Sequence, residues 1–451
     1  MVLRIAALLA LCALEIGCSS GSSSASPAHD AGADAKVDAG VAAALCDGGS
    51  CIEHLIVIVQ ENHTFDDHFG AYCTATPGSN PTCNAGPACC EAMPATDPDG
   101  TKPTVVTDAE LAAFDPNHAQ ACELTEIDDG KMDGFSTSAV ANCGNPQNVA
   151  VADPTIIKPL WDLAAQGALG DRYFQPLAGE SSGNDMYLAR ASFVFLDDDD
   201  GPSGAVGAYT CDLEGHAAQF TDQTIGDLLT KAKVPWAWFA EGYAAMAAAN
   251  GACPPPPPDC HENAGSYPCG FDPSDVPFEY YPSTRDNPDT MKDLAVIQQA
   301  LTQGTGLPAV SFVKALGYKT EHPGMNITLS AGVGWATSFI ASIEASPYAS
   351  STLVLLTYDE GGGYFDHVAP PPESAVDGEP YGTRIPLLVL GPFARKNFVS
   401  HVVMEHSSIV KFIEWNWLGH KTGQLGTRDA VVHNLGSLLD PAKTGVTVPE
   451  D

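Results

Sequence analysis

The chain has 451 residues, of which 44% are hydrophobic and 17% are charged, a composition that supports a large core in one or two domains. Lys and Arg number 20 against 56 Asp and Glu, which gives a formal net charge of −36. A field of this sign repels nucleic acid and anionic surfaces, so we expect no nucleic-acid partner. An anionic substrate would need a local cation, and the absence of a basic cluster favours a metal site over an arginine pocket.

The N-terminal segment has the features of an export signal. Arg4 precedes the apolar stretch Ile5–Leu14, which is too short to span a bilayer and is typical of a signal peptide. The residues before Cys18 are similar to a bacterial lipoprotein cleavage site, so we expect a signal peptide over 1–18 and lipidation at Cys18, with ordinary cleavage nearby as the alternative. Residues 19–45, rich in Ser, Ala, Asp and Gly, predict a flexible linker. The protein is therefore predicted to be exported, either tethered at the cell envelope through Cys18 or secreted.

The cysteines after the linker form an even set, which suits disulfides in an oxidising compartment. Their spacing does not determine their pairing, and most lie in stretches rich in Gly and Pro, where disulfides would staple loop insertions. A zinc cluster around Cys83, Cys89 and Cys90 is the alternative, and the absence of paired CxxC spacing argues against it. The set comprises Cys46, Cys51, Cys73, Cys83, Cys89, Cys90, Cys122, Cys143, Cys211, Cys253, Cys260 and Cys269.

Strand and helix patterns alternate along the folded domain, which we place at 46–451. Short apolar runs predict buried parallel strands at Leu55–Val59, Val234–Ala240, Leu307–Val313, Leu353–Thr357 and Ile385–Leu390. Helical spacing predicts crossover helices at Thr221–Lys233, Asp289–Gln303, Gly332–Ala345 and Ser407–Leu418. This alternation predicts an α/β fold, a three-layer α/β/α sandwich, with loop insertions at Asn80–Lys102 and Gly251–Pro282.

Clusters of potential metal ligands follow two of the predicted strands. Glu61 and Asn62 come directly after the first strand, and Asp359 and Glu360 come after the run Leu353–Thr357. In open α/β sheets, the carboxyl ends of neighbouring strands form the crevice in which ligands bind. We therefore expect these two clusters to meet in one site. The run Asp197–Asp200 is a weaker calcium candidate, because a run of like charges is more often a solvated loop.

Ser181 is the candidate nucleophile, within Gly179-Glu180-Ser181-Ser182-Gly183. This pentapeptide matches the G-x-S-x-G elbow of serine esterases, which would recruit Asp359 with His367 or His406 as acid and base. The elbow needs a strand immediately before the serine, whereas the preceding Asp171–Ala178 is a poor strand interrupted by proline. A metal-independent serine carboxylesterase or lipase is therefore an alternative, and a surface turn without chemistry is a third interpretation of this segment.

Several separated motifs between about Glu53 and Gly419 together resemble a known family: the phosphoesterases that include bacterial and plant phospholipase C enzymes and a group of acid phosphatases. Gln60–Asp66 resembles the family's E-N-R-S-F-D segment, with His63 in place of Arg, and Gly130–Phe135 matches its G-K-M-D-G-F. Tyr358–His367 is close to the family's most distinctive stretch. Further matches are Leu307–Val313 with Glu321-His322-Pro323, Arg384-Ile385-Pro386 and Glu405-His406-Ser407-Ser408.

This resemblance implies an alkaline-phosphatase-like fold and a role for each matching residue. Glu61, Asn62, Asp359 and Glu360 would hold a divalent metal, and Ser181 would be the nucleophile facing it. Oxygen donors suit calcium, magnesium or manganese, while nearby histidines leave zinc or iron open. The remaining implied roles are proton donation or phosphate binding by His118, His322 and His367, and substrate contact by Tyr280 and Tyr281. The implied activity is phosphate-ester hydrolysis through a phosphoseryl intermediate.

Structural roles compete with several of these assignments. Asn62 and Asp66 are also candidate caps for a helix after the first strand. His406 is more typical of a loop or cap than of a catalytic group, and His54, His63 and His68 are predicted to be surface or packing residues. A non-catalytic envelope-binding lipoprotein is the remaining function class, and the filled set of metal-ligand positions argues against it. The sequence does not distinguish a phosphomonoester substrate from a phospholipid diester. It also does not determine the oligomeric state.

Overall fold

The computed structural model describes residues 46, 49–206, 216–249, 253–260 and 267–451, all of which lie in one compact unit, Ala39–Asp451. The predicted signal peptide, its Cys18 and the linker over 19–45 lie outside the described residues. In the described part the strands are β1 His54–Gln60, β2 Thr104–Val106, β3 Ala150–Ala152, β4 Ala168–Gly170, β5 Asp200–Pro202, β6 His216–Ala218, β7 Trp236–Ala240, β8 Met291–Asp293, β9 Val310–Lys314, β10 Thr352–Tyr358, β11 Leu387–Leu390 and β12 Phe398–Ser400.

The helices in the same part of the chain range from four to sixteen residues. They are α1 Phe65–Phe69, α2 Asp108–Ala113, α3 Gln120–Ile127, α4 Pro154–Gln166, α5 Ser181–Arg190, α6 Ile225–Ala232, α7 Tyr243–Ala249, α8 Leu294–Gln303, α9 Leu329–Glu344, α10 His406–Trp417 and α11 Pro441–Thr444. Across these residues, no helix combines the length and the apolar character needed to cross a membrane.

Eight of the strands form the central sheet, in the order β12-β4-β11-β10-β1-β9-β7-β8. β1 lies between β10 and β9, both parallel to it, and the parallel pairing continues through β7 to β8. Because β1 and β10 run side by side in register from His54 opposite Thr352 to Gln60 opposite Tyr358, they end together. The two acidic clusters therefore leave the same edge of the sheet from adjacent strands, as the sequence predicts.

Both faces of the sheet are buried, which explains why its central strands are apolar at nearly every position. Leu55, Val57 and Val59 of β1 pack into one core together with side chains of α5, α6 and α10. Ile56 and Ile58 face a second core that contains side chains of α4, α8 and α9. Helices thus cover both faces, and the predicted three-layer α/β/α sandwich is confirmed.

The five predicted strands and four predicted helices are all present, with ends that differ by a few residues. One prediction is wrong: Ile385–Leu390 contains β11, which runs antiparallel to both β10 and β4. The chain between β10 and β11 contains no crossover helix, so it re-enters the sheet from the edge at which β10 ends. A parallel strand would have required the chain to return to the opposite edge first.

Disulfides staple the insertions, as predicted. The described residues contain the pairs Cys46–Cys51, Cys73–Cys90, Cys83–Cys89, Cys122–Cys143 and Cys260–Cys269. The zinc alternative is wrong, because Cys83, Cys89 and Cys90 are all bonded to other cysteines. Cys211 lies outside the described residues.

A fully buried arginine joins the chain after β1 to the chain after β10. Arg384 Nη2 lies 3.0 Å from Asp66 Oδ1, and Arg384 Nε donates to Asp366 Oδ1 at 2.8 Å. The guanidinium also lies 4.4 Å from the ring centre of Phe65, over its face. Burial of a charge is tolerated only when it is paired and hydrogen-bonded, which is the case here.

We expect Arg384→Met to lower the free energy of unfolding by about 3–5 kcal/mol, because it leaves two buried carboxylates without their cation. Lys158→Met is the matched control: its ammonium pairs with Asp162 in solvent, with 62% of the lysine side chain exposed, so the change should be small. Urea denaturation measures both variants. Equal unfolding free energies in the two variants would contradict this role of Arg384.

Candidate functional site

The predicted metal ligands meet at the carboxyl ends of β1 and β10. Asp359 Oδ1 accepts hydrogen bonds from the backbone N–H groups of Asn62, at 3.2 Å, and Glu360, at 2.7 Å. Glu61, Asn62, Asp359 and Glu360 are all buried, with at most 2% of any of them exposed. The structure therefore brings the two clusters together, in agreement with the position of their strands.

A close approach of backbone to backbone fixes this arrangement. Asn62 has a left-handed φ of 66°, and Gly362 lies against it with a φ of 65°. A Cβ on Gly362 would lie 2.4 Å from the Asn62 carbonyl oxygen, so only glycine fits there. Asn62 is not a helix cap: Thr64 takes that role for α1 by accepting the Asp67 N–H. The capping alternative is thus wrong for Asn62, and its side chain is left for the site.

Three oxygens at this centre are buried without a hydrogen-bond partner in the described residues. They are Asn62 Oδ1, Asp359 Oδ2 and Glu360 Oε1. Burial raises the pKa of Glu360 well above its ordinary value, against the opposing effect of His118, and burial also raises the pKa of Asp359 despite Lys314. Unpartnered oxygen donors and carboxylates that lack enough positive charge are what a divalent cation requires. The donor set fits a hard metal ion.

Glu61 is held by a different set of contacts. Lys314 at the end of β9 lies 3.0 Å from Glu61 Oε1, while the hydroxyls of Thr320 and Tyr267 donate to Glu61 Oε2. Burial would raise the pKa of Glu61, but Lys314, His322 and Tyr267 together lower it below the ordinary value. Glu61 is therefore ionised and oriented, with lone pairs left over for a further ligand.

Ser181 is the first residue of α5, and its side chain is 6% exposed. Asp185 lies four residues later on the same helix face, and its Oδ2 lies 3.1 Å from Lys314 Nζ. Lys314 in turn contacts Glu61 and Asp359, so the face of α5 that carries Ser181 is directed at the predicted metal ligands. No hydrogen bond in the described part of the chain occupies the Ser181 hydroxyl, which leaves it available to a substrate.

The chain before Ser181 is a loop and not the strand that a serine-esterase elbow requires. β4 ends at Gly170, ten residues before α5. The loop is fixed by Gln175, whose Oε1 accepts the Gly361 N–H and whose Nε2 donates to Glu123. Glu123 also accepts the Gly179 N–H. These bonds tie the Ser181 loop directly to the Asp359–Gly363 turn, so serine and carboxylates are positioned as one unit.

The three predicted histidines occupy different places. His118 Nε2 lies 3.4 Å from Asn62 Nδ2 and 4.0 Å from Glu360 Oε1, within the site. Burial lowers its pKa, but Glu360, Asp115 and Glu180 overcome this effect and raise it to about 10. His322 neighbours both His118 and Tyr267, with ring centres 6.2 Å and 5.3 Å away. These two histidines border the centre and can serve a phosphate oxygen or a leaving group.

His367 belongs to the ion-pair network of Arg384. Its Nδ1 lies 2.7 Å from Asp66 Oδ2, and its Nε2 lies 3.1 Å from Glu91 Oε2. Carboxylates contact both ring nitrogens, as is typical of a histidine with a structural role. Its catalytic role stays a prediction, and these contacts do not support it.

Tyr280 and Tyr281 are buried, with 0% and 1% of their side chains exposed. They pack with Met186 and Phe195, and the Tyr280 hydroxyl donates to the carbonyl oxygens of Asp200 and Ser274. Both tyrosines thus belong to a hydrophobic cluster that includes Met186 of α5. Contact with substrate stays a prediction, and their burial does not support it.

The sequence analysis missed Lys314 and assigned His406 mainly to a loop or cap. His406 Nε2 donates to the Asp359 carbonyl at 2.8 Å and its Nδ1 accepts the Tyr173 hydroxyl, with burial lowering its pKa to about 4. His406 thus stays neutral and holds Asp359 in place. The signal for it was present in the Glu405–Ser408 motif, but the sequence favoured a capping role.

Two groups among the described residues place three potential metal ligands within 4.8 Å of one another: His63 with Asp67 and His68, and Asp66 with Asp366 and His367. The second group already pairs with Arg384. In the first, His68 Nδ1 bonds to Asp67 Oδ2 at 2.7 Å, and His63 Nδ1 lies 2.8 Å from the same oxygen without a hydrogen bond of its own in the described part of the chain. Both histidines are fully buried beside acidic side chains, so their prediction as surface or packing residues is too simple.

The sequence profile of the Phosphoesterase family matches residues 52–418. The chain belongs to this family. Non-hemolytic phospholipase C of Burkholderia pseudomallei (strain K96243) is 33% identical over 143 residues, which cover 26% of this chain and 20% of that protein. Non-specific phospholipase C3 of Arabidopsis thaliana is 22% identical over 450 residues, which cover 89% of this chain and 77% of that protein.

The chain spans about one fifth of the length of two bacterial phospholipases C that it matches, those of Burkholderia pseudomallei and Pseudomonas aeruginosa. Among solved structures, the lipoteichoic acid synthase LtaP from Listeria monocytogenes is 10% identical, with a TM-score of 0.38 and coverage of 82% of this chain and 73% of that chain. A protein in the alkaline phosphatase superfamily from Vibrio parahaemolyticus is 11% identical, with a TM-score of 0.33 and coverage of 77% and 72%.

The buried His68 cluster predicts a pH dependence of stability. Burial lowers the pKa of His68, but Asp67 and Glu321 overcome this effect and raise it to about 9 from 6.5. A raised folded-state pKa stabilises the fold below the unfolded value, and this stabilisation is lost as pH rises toward 9. We expect the free energy of unfolding to fall by roughly 3 kcal/mol between pH 6 and 9.

Urea denaturation across this pH range tests the expectation, with His68→Gln as the variant that should flatten the dependence. His433→Gln is the control, because His433 is 47% exposed in the side chain and should leave the slope unchanged. A His68→Gln protein with the full wild-type slope would show that other groups cause the loss.

Proposed function

We propose that this phosphoesterase is a metal-dependent hydrolase of phosphate esters, with Ser181 as nucleophile. The observation that carries the proposal is the set of unpartnered, buried oxygens of Asn62, Asp359 and Glu360 beside the helix face that presents an unbonded Ser181 hydroxyl. Membership of the family and similarity to proteins named phospholipase C support the substrate class. Calcium, magnesium, manganese, zinc and iron all remain candidates for the metal.

Asn62, Asp359 and Glu360, with Glu61, would hold the divalent metal. When bound there, such an ion supplies Lewis-acid stabilisation of phosphoryl charge and lowers the pKa of a serine hydroxyl. Ser181 Oγ, after losing its hydroxyl proton to solvent, would attack phosphorus and form the O–P bond of a phosphoseryl intermediate as the bond to the leaving alcohol breaks. His118 is positioned to give a proton to that alcohol, and water then releases phosphate or a phosphomonoester from Ser181 while a proton returns to His118.

The helix that carries Ser181 offers little to a phosphate by itself. Asp198 Oδ1 accepts the Ser182 N–H at 2.8 Å, and the Asp197 carbonyl accepts the Gly183 N–H at 3.1 Å. These amides would otherwise form an anion site at the N-terminus of α5. Because the acidic loop uses them, charge on the phosphoryl group must be stabilised by cations, which supports a metal and His118.

A serine carboxylesterase receives less support. The strand required before the serine is absent, His367 is held by Asp66 and Glu91, and His406 bonds to the Asp359 backbone and to Tyr173. Neither histidine forms a hydrogen bond with Ser181. The proposal also includes export of the protein and its tethering through lipidated Cys18. The substrate is either a phosphomonoester or a phospholipid diester.

The decisive experiment is hydrolysis of a phosphomonoester, a phosphocholine diester and a carboxyl ester by the full chain, with chelator and with metal restored. We expect phosphoester turnover that is lost on chelation and regained with metal, and a fall of about a thousandfold or more in kcat for Ser181→Ala. Ser330→Ala is the control, because that serine is exposed and bonds only Asp108.

Each alternative has its own outcome in this experiment. Carboxyl-ester turnover that resists chelator would favour the serine esterase. Absence of turnover on every ester, in protein that binds divalent metal and is folded, would favour the non-catalytic envelope protein. Comparison of the two phosphate esters shows which leaving group the site accepts.

A further inference from the structure

Lys314 lies at the centre of four buried carboxylates. Its Nζ is 3.0 Å from Glu61 Oε1, 3.1 Å from Asp185 Oδ2, 3.0 Å from Asp275 Oδ2 and 3.5 Å from Asp359 Oδ2. The lysine side chain is 5% exposed and none of the four partners exceeds 9%. We refer to Glu61, Asp185, Asp275 and Asp359 as the carboxylate cage.

The cage is assembled from four separate parts of the fold. Glu61 follows β1, Asp359 follows β10, Asp185 lies within α5, and Asp275 lies in the insertion between β7 and β8. Lys314 is the last residue of β9, the neighbour of β1 in the sheet. Such convergence from distant segments places a cation-binding centre at the sheet edge.

The ammonium group has three N–H donors, which match the three oxygens at 3.0–3.1 Å. Asp359 Oδ2, at 3.5 Å, receives attraction without a hydrogen bond, and it is one of the unpartnered oxygens of the predicted metal site. Lys314 therefore holds Glu61 while leaving that oxygen of Asp359 for the metal. Glu61 and Asp359 are shared by the lysine and by the proposed metal.

Two cage members have no place among the predicted metal ligands. Asp185 and Asp275 contact Lys314, and Asp275 also accepts a hydrogen bond from Ser182. Four carboxylates around one ammonium leave a formal charge of −3 in a buried space. Without the ammonium, the three oxygens at 3.0–3.1 Å from the Nζ position would need to move inward by about 1 Å to ligate Mg²⁺, and Asp359 Oδ2, at 3.5 Å, by somewhat more.

We propose that Lys314 is a resident cation that occupies the position of a second divalent ion, so that the protein binds one divalent ion at Asn62, Asp359 and Glu360. In two-metal phosphoesterase sites, paired ions share carboxylates and stabilise opposite sides of the phosphoryl transfer. Here Lys314 supplies fixed positive charge beside Glu61 and Asp359 and does not depend on metal supply. It acts as a positioning residue for two metal ligands, and this inference rests on the proposed function for the metal.

The test is the number of Mn²⁺ ions bound per full-length chain, measured by electron paramagnetic resonance titration after treatment with chelator. We expect one ion in the wild type and two in Lys314→Ala. Lys319→Ala is the matched control: Lys319 lies five residues after Lys314, its ammonium pairs with Glu241 outside the cage, and the variant should bind one ion.

A second variant protects the test from loss of folding. Lys314→Ala with Asp275→Asn keeps the formal charge of the cage at −3, and we expect it also to bind two ions, with the second bound more weakly because one carboxylate is gone. Asp275→Asn alone should bind one. Circular dichroism melting with increasing Mn²⁺ should show further stabilisation of the lysine variants after the first site is filled.

Equal Mn²⁺ stoichiometry in the wild type and both lysine variants would overturn the proposal, as would two ions in the wild type. This result is distinct from failure of the proposed function. A wild type that binds no ion and hydrolyses no phosphate ester would refute the metal-dependent hydrolase, whereas an increase of one ion on loss of Lys314 would still support the role of the cage.

Discussion

Buried carboxylates exceed buried cations at the carboxyl edge of the sheet, and the arrangement of the site follows from this imbalance. Each buried carboxylate must be paired, hydrogen-bonded or protonated, because an isolated charge in the interior is very costly. Lys314 serves one group of acids and Arg384 serves another. Asp359 and Glu360 have pKa values raised by burial, which shows that protein cations alone do not satisfy them. The carboxylates that lack enough positive charge are the same ones that carry oxygens without a hydrogen-bond partner in the described residues.

The buried arginines pair with acids that are separate from the predicted metal ligands. Arg384 and His367 hold Asp66, Asp366 and Glu91 in a network that joins the first turn after β1 to the turn after β10. Arg428 donates to the Pro176 carbonyl and pairs with Asp377, which fixes the loop before Ser181 from the other side. These arginines lie away from the oxygens that remain unpartnered. The ion pairs of Arg384 and Arg428 therefore hold the loops around the candidate site, and neither arginine pairs with Asp359 or Glu360.

Much of the fold and the position of the site could be predicted from the sequence, because both depend on local patterns. Unbroken apolar runs such as Leu353–Thr357 are typical of strands buried on both faces, and the residues that follow a strand must lie at its end. The direction of β11 could not be predicted, since an apolar run of four residues has the same composition in either direction. The short strand β4 was also missed, because three residues carry too little pattern to distinguish a strand from a turn.

Residues whose role depends on tertiary pairing were the hardest to predict. Lys314 ends an apolar strand, where a lysine is usually a solvated residue, and only the convergence of Asp185 and Asp275 from distant segments gives it a role. His367 is a second case: its motif implied catalysis, and only the structure shows that Glu91 from the first insertion contacts its second ring nitrogen. Sequence motifs identify which side chains are available, while long-range partners decide what each can do.

The net negative charge of the whole protein affects how an anionic substrate can bind. With a formal charge of −36, the surface repels a phosphate ester at long range, so affinity has to arise within the site after approach. Fixed donors at the N-terminus of α5 are already bonded to Asp197 and Asp198. The buried ammonium of Lys314 is a source of positive charge at this edge of the sheet, and the proposed function adds His118 and a divalent ion to it. Each becomes effective because the surrounding interior screens it less than water does.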